Sequence, residues 1–285
     1  MKIPFTKMHG LGNSYIYIDL FHTDLPEDRL AELAIKMSNP NTGIGSDGMI
    51  LIHPTEKADV GMRIFNKDGS EGMNCGNGLR CTAKYAYETG IIDKKEFTMQ
   101  TKANIVHAIV TVNEQRVVEE VTIDMGKPIL QREQIPMLGE AGTTVLNESF
   151  QVADSTLYVT AVSMGNPHIV SFVENIDDAP LTTLGPIIEK DKRFPEGVNA
   201  EFIEMVSDEE LHFRVWERGS GVTEACGTGA CAAVVAATLN NKAAKGKKVV
   251  VHLAGGDLTI EWKQDDHIWM TGGAEIIASG NYYVG

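Results

Sequence analysis

The sequence predicts an α/β protein of the α+β kind, with mixed sheets in two pseudosymmetric, homologous halves, each sheet wrapped around one central buried helix. Three observations carry that expectation. First, the chain repeats itself: residues 63–78 (RIFNKDGSEGMNCGNG) and 214–229 (RVWERGSGVTEACGTG) align without a gap at an offset of 151. Arg63 matches Arg214, Phe65 matches Trp216, Lys67 matches Arg218 and Cys75 matches Cys226. Second, short strand-like runs outnumber helical ones. Third, a helical run follows each Cys-Gly-x-Gly, Leu79 to Glu88 and Ala230 to Leu239, and the second is apolar on every face, as in a helix enclosed on all sides. A weaker echo lies upstream, where Gly12-Asn13 and Gly165-Asn166, offset by 153, each precede an alternating strand.

Taken in order, 2–8 and 14–20 read as strands, and Pro26 to Met37 as a helix with Leu30, Leu33, Ala34 and Met37 at helical spacing. Strands follow at 48–53 and 59–66, then the first glycine loop and its helix, which Gly90 ends. Further strands read at 95–101, 104–112 and 116–125. Asp124 to Leu130 (DMGKPIL) is the expected linker, which sets the halves at 1–126 and 127–273. The strand-like tail, 274–285, is expected to return to the first half.

Composition narrows the function classes. The 285 residues carry 25 Lys and Arg against 39 Asp and Glu, a formal charge of −14, with ordinary apolar (43%) and charged (22%) fractions. So acidic a chain repels nucleic acid and anionic membranes. The longest apolar run, Ala230 to Ala237, falls far short of the ~20 residues of a membrane span. MKIPFTKMHG has no continuous apolar region, so no signal peptide is expected. The cysteines, Cys75, Cys81, Cys226 and Cys231, form two close pairs with neither zinc-site nor disulfide-framework spacing. Reduced thiols in a cytoplasmic protein without a metal are the expectation.

A helix opening with Cys-Gly-x-Gly offers unpaired N–H groups and the positive end of its dipole, which suits a carboxylate and lowers the pKa of a cysteine placed there. Cys75 and Cys226 occupy that position in both repeats, whereas Cys81 and Cys231 fall inside the helices and read as core. Two equivalent thiols suit inversion of a stereocentre, one removing a proton from one face of a carbon and the other returning a proton to the opposite face. Other motifs are weaker. Gly227-Thr228-Gly229 onward formally fits a dinucleotide loop, but the acidic residue expected ~20 positions later is replaced by Lys-Lys-Val-Val. No P-loop occurs, and a Cys-His hydrolase needs only one nucleophile. A non-catalytic amino-acid binding protein remains an alternative.

MHGLGNSY (8–15), RIFNKDGSEGMNCGNGLRC (63–81), SMGNPH (163–168), Val198-Asn199 and ERGSGVTEACGTGACAA (217–233) together resemble the diaminopimelate epimerase family over essentially the whole chain. The resemblance implies a cofactor-independent epimerase that interconverts LL- and meso-diaminopimelate for lysine and peptidoglycan precursor synthesis, a homodimer with no metal. It makes Cys75 and Cys226 the acid–base pair and gives His168 and Glu217 the tuning of the thiols. Its substrate ligands fall on Asn13, Asn66, Gly76, Asn77, Asn166, Asn199, Glu217, Arg218, Gly227 and Thr228. One position departs: Gly48 stands where some members carry a glutamine ligand. Proline and hydroxyproline racemases, with two cysteines on a similar fold, are the near alternative.

Overall fold

In the computed structural model the chain divides into two units, Met1–Asp124 with Thr271–Gly285, and Met125–Met270. The structure describes residues 1–73 and 75–284; Asn74, within the repeated block, and Gly285, at the end of the expected terminal strand, lie outside the described residues.

The first unit contains β1 (Lys2–Gly10), β2 (Asn13–Asp19), α1 (Leu30–Ser38), β3 (Gly48–His53), β4 (Val60–Asn66), β5 (Glu71–Gly72), α2 (Gly76–Glu88), β6 (Glu96–Gln100), β7 (Ile105–Val112) and β8 (Val118–Asp124). The second contains β9 (Glu148–Val152), β10 (Ser155–Ser163), β11 (Pro167–Phe172), α3 (Leu181–Glu189), β12 (Asn199–Ser207), β13 (Glu210–Glu217), β14 (Gly221–Val222), α4 (Gly227–Leu239), β15 (Lys248–Leu253) and β16 (Gly256–Trp262). β17 (Ile268–Gly272) carries the chain back, and β18 (Glu275–Tyr283) pairs antiparallel with β1, from Lys2 opposite Tyr283 to His9 opposite Glu275.

The strands of each unit follow one plan. In the first unit, β1–β2 is antiparallel, β2–β3 parallel, β3–β4 antiparallel, β4–β6 parallel and β6–β7 antiparallel. The same alternation runs through β10, β11, β12, β13, β15 and β16 in the second. Even the register repeats. Ile16 opposes Met49 and Met49 opposes Phe65, as Ile169 opposes Ala200 and Ala200 opposes Trp216. Strand β3 buries Gly48 to Ile52 without alternation, as an interior strand with a parallel neighbour should. Strand β7 alternates buried and exposed residues and so has one face in water.

Each unit has a helix packed against its own strands. α2 lies against β1, β2, β4, β7 and β8, and α4 against β10, β11, β12, β13 and β16. Both begin three residues before the sequence pattern suggested, because Cys75 and Cys226 act as N-caps: their sulfurs take a helical N–H and let the glycines enter the first turn. Every residue from Gly229 to Ala237 in α4 is buried. The expected helix at Pro26 begins as a 3₁₀ turn, Glu27–Arg29, before α1 buries Leu30, Leu33, Ala34 and Met37. Helix α3 was not legible in the sequence, since Gly185 and Pro186 break its pattern. Gly185 is required there by contact: a Cβ would fall 2.6 Å from Cβ of Trp216.

Interiors packed to crystal density have no room for added methylenes. Ala233→Leu, in the middle of α4, should therefore lower stability by about 1–3 kcal/mol. Urea denaturation checks this, and unchanged or increased stability would contradict the enclosed helix.

Candidate active site

The two thiols sit in locally identical frames. Cys75 is extended (φ −155°) and its Sγ accepts from the Gly78 N–H at 3.3 Å; Cys226 is extended (φ −123°) and its Sγ accepts from the Gly229 N–H, also at 3.3 Å. The second glycine of each Cys-Gly-x-Gly is thus the sulfur's donor, a role the sequence pattern did not separate from that of Gly76 and Gly227. Both are held by close approach. A Cβ at Gly78 would lie 2.6 Å from Cδ1 of Ile50, and one at Gly229 2.9 Å from Cζ of Phe213 and 3.1 Å from Cys226 Sγ.

The polar groups around the two sulfurs differ. In the first unit Asp47 accepts from Asn13 Nδ2 (2.9 Å) and from the Ser14 N–H (2.8 Å), which turns Asn13 Oδ1 toward Cys75 Sγ at 3.8 Å. The same oxygen accepts from Asn77 Nδ2 at 3.2 Å, and the buried Arg80 donates to Asn77 Oδ1 at 2.9 Å. In the second unit Asn166 donates through Nδ2 to Thr228 Oγ1 at 3.3 Å, and Thr228 Oγ1 lies 3.6 Å from Cys226 Sγ. His168 reaches Asn166 Oδ1 through Nε2 (2.9 Å) and Glu201 Oε1 through Nδ1 (2.6 Å). Asn199 bridges the Pro167 carbonyl (2.8 Å) and the Arg218 N–H (2.9 Å), Arg218 donates to the Glu196 carbonyl, and Thr223 donates to Glu217. Asn66 donates to Ser70 Oγ at 3.0 Å.

Of the residues named from the sequence, Cys75, Gly76, Asn77 and Asn13 thus gather at the start of α2, with Asn66 at the end of β4. Cys226, Gly227, Thr228, Asn166 and His168 gather at the start of α4, where Asn199, Glu217 and Arg218 occupy the ends of β12 and β13 and the turn beyond. Sequence reasoning missed Tyr15, Asp47, Glu201 and Thr223. Tyr15 and His168 occupy matching positions two residues after Asn13 and Asn166, a signal available in the upstream echo. At Gly48 a Cβ would fall 2.2 Å from the Phe65 carbonyl oxygen, so no glutamine fits there without moving β4.

The thiols are not acidified as the sequence suggested. Burial raises the Cys75 pKa; the Gly78 N–H, Tyr15, Arg80 and the Asn77 N–H oppose it in part. Burial raises Cys226 too, and the charges of Glu217 and Glu201 add to it, against Thr228 and the Gly229 N–H. The magnitudes decide the sign. A helix end supplies about 0.3–1 kcal/mol, less than the ~1.4 kcal/mol of one pKa unit, whereas full burial moves a group by as much as ~3–5 pKa units. Inside α2, Cys81 is pushed up to about 11 by burial and is inert core, as expected. No disulfide joins the four cysteines. Among the described residues, no three His, Cys, Asp or Glu side chains gather as a metal site would require, and no helix is long and apolar enough to cross a membrane.

A family model for diaminopimelate epimerase matches residues 5–131 and 160–277. The chain is 68% identical over 283 residues to the diaminopimelate epimerase of Oceanobacillus iheyensis, with 99% of both chains covered. It is 62% identical over 282 residues to that of a Geobacillus strain, again with 99% of both covered. Its fold is like that of the Bacillus anthracis phenazine biosynthesis protein of the PhzF family, with a TM-score of 0.72 at 18% identity over 100% of both chains.

Because Glu217 disfavours the Cys226 thiolate, Glu217→Gln should lower the Cys226 pKa and move its alkylation profile to lower pH. The check is the rate of iodoacetamide addition at Cys226, followed by peptide mass spectrometry. At a pH below the thiol's titration the variant should react faster; an unchanged or slower rate would contradict the assignment.

Proposed function

This chain belongs to the diaminopimelate epimerase family, and from that premise we propose that it interconverts LL- and meso-2,6-diaminopimelate, with Cys75 and Cys226 exchanging the α-proton on opposite faces of one carbon. The observation that supports the reading most is the doubled N-cap thiol, two sulfurs in the same backbone conformation with the same N–H donor. One thiol must be ionised to take the proton and the other protonated to return one. The carbanion between the two transfers is planar at carbon, so delivery from the far side inverts it.

The α-proton of an amino acid is weakly acidic, so negative charge spreading into the carboxylate has to be stabilised. The backbone N–H groups of Gly76, Asn77, Gly227 and Thr228, in the first turns of α2 and α4, have no intrahelical partner by construction and suit that task. One such preorganised donor is worth about 2.7–4 kcal/mol of barrier, enough for several to replace a pyridoxal electron sink. The reaction therefore needs neither cofactor nor metal. Asn13, Asn66, Asn166, Asn199, Glu217 and Arg218 supply the polar groups that the amino groups and the distal carboxylate of the substrate require, and His168 and Glu217 tune the thiols. In the same reading the protein is a cytoplasmic homodimer of lysine synthesis. Its unbridged thiols suit a reducing compartment, and β18 offers exposed Ile276, Ile277 and Tyr283 as subunit surface.

Purified protein should convert LL- to meso-diaminopimelate after dialysis against EDTA. In deuterated water the product should carry deuterium at the inverted carbon before the remaining substrate does. Cys75→Ala and Cys226→Ala should each lower turnover by at least ~100-fold, the scale of a general acid–base contribution, with little loss of thermal stability. Near-wild-type turnover in either variant would refute two-base catalysis.

A further inference from the structure

We infer that Glu201, on β12 beneath the first turn of α4, is a positioning residue: through His168 it fixes which way the Asn166 carboxamide faces, and thereby aims the Thr228 hydroxyl proton at Cys226 Sγ. The inference rests on the proposed role of Cys226 and adds to it a group that the motifs did not mark.

Glu201 and His168 are 2.6 Å apart and their side chains are 0% exposed. Glu201 Oε2 has no hydrogen-bond partner, although it too is buried. A carboxylate left so is a cost to folding, and the fold does not need it. The matching position in the first unit is Ile50, 151 residues earlier, which occupies the same place: Ile50 Cδ1 abuts Gly78 as Glu201 Oε1 abuts Gly229, at 2.6 and 3.1 Å from the respective ideal Cβ positions. Isoleucine satisfies the packing there, so the carboxylate answers another requirement.

That requirement follows from counting protons. A proton must lie between His168 Nδ1 and Glu201 Oε1 at their separation. If the pair held only that proton, it would be a net anion enclosed in protein, with the like charge of Glu217 on β13 acting on it. A second proton on Nε2 makes the pair neutral. An Nε2–H donates, so it selects the carbonyl end of Asn166, which is the end found 2.9 Å away. The amide end then faces Thr228 and donates to its Oγ1. With its oxygen accepting, the threonine hydroxyl has its own proton to give, and Cys226 Sγ lies 3.6 Å away. This is the donor the sulfur meets when it becomes a thiolate between carboxylates that disfavour one.

The first unit sets the contrast. There Asp47 takes the amide end of Asn13, so the carbonyl end faces Cys75 and accepts from it. The two matched carboxamides are thus held in opposite senses by unrelated anchors, Asp47 and the His168–Glu201 pair.

The test is Glu201→Gln, with Glu201→Ile as a second variant that mimics the first unit should the glutamine fail to fold. Two readouts are needed. In ¹⁵N-histidine-labelled protein, His168 Nε2 should carry a proton throughout in the wild type and only part of the time in the variant, where a single ring proton is divided between Nδ1 and Nε2. This readout does not depend on turnover, so it stands or falls apart from the epimerase reading. In the epimerase assay, kcat should fall about 10–100-fold, the range seen when a group that orients a reacting one is removed, with KM little changed. In a Thr228→Val background the same substitution should cost no further kcat, because its effect travels through that hydroxyl. A His168 Nε2 that is as fully protonated in Glu201→Gln as in the wild type, or an equal loss of kcat with and without the Thr228 hydroxyl, would overturn the assignment.

Discussion

A cysteine sulfur serving as the N-cap of a buried helix is the constraint on which the rest of this structure depends. The sulfur must reach the N–H of the third helical residue, so that residue is glycine, and the sheet beneath closes onto it: Ile50 against Gly78, Phe213 and Glu201 against Gly229. The helix that follows has to be enclosed to hold its first turn still, hence the small and apolar residues of α4 and the enclosed polar side chains, Arg80 and Lys84, of α2. The alternating parallel and antiparallel pairings place β2, β3 and β4, and β11, β12 and β13, with their ends beside that first turn. A reacting group fixed by backbone geometry on both sides is one that can be reproduced by copying the chain, and this chain contains the copy.

Copying explains the likeness of the two sites; their chemistry lies in the differences. In the proposed epimerisation one thiol is ionised while the other is protonated, and unlike surroundings bias which is which. Around Cys75 a cation, Arg80, acts on the thiol, and polar oxygens come from Asn13 and Tyr15. Around Cys226 the charged neighbours are Glu217 and Glu201. These substitutions fall on matched positions. Asn66 in one repeat is Glu217 in the other, Ile50 is Glu201, and Tyr15 is His168. The backbone plan that orients the sulfurs is common to both units, and the side chains beside them differ.

The repeat, the strand segments of the first half and the enclosed helix after each glycine loop were legible in the sequence, because hydrophobic period and ungapped register are local and do not depend on tertiary partners. Cys75 and Cys226 were legible for the same reason. The direction of their pKa displacement was not: the helix dipole can be read from the position of a residue in its motif, whereas burial depends on what the sheet brings over it. Glu201 was hidden because a charged residue in a strand pattern reads as a solvent-facing position, and only the packing of β12 under α4 turns it inward. Asp47 escaped notice as a turn residue in a glycine-rich loop. Helix α3 was concealed by Gly185 and Pro186, whose local cost is outweighed by the contact of that helix with Trp216.

One half-site occurs twice in this chain, and unlike charges set its two thiols apart. The most direct measurement is the pH dependence of alkylation at each thiol of the ligand-free protein, resolved by peptide mass spectrometry. Both should titrate above an unperturbed cysteine, and Cys226 above Cys75. Coincident profiles, or Cys75 titrating above Cys226, would contradict the account.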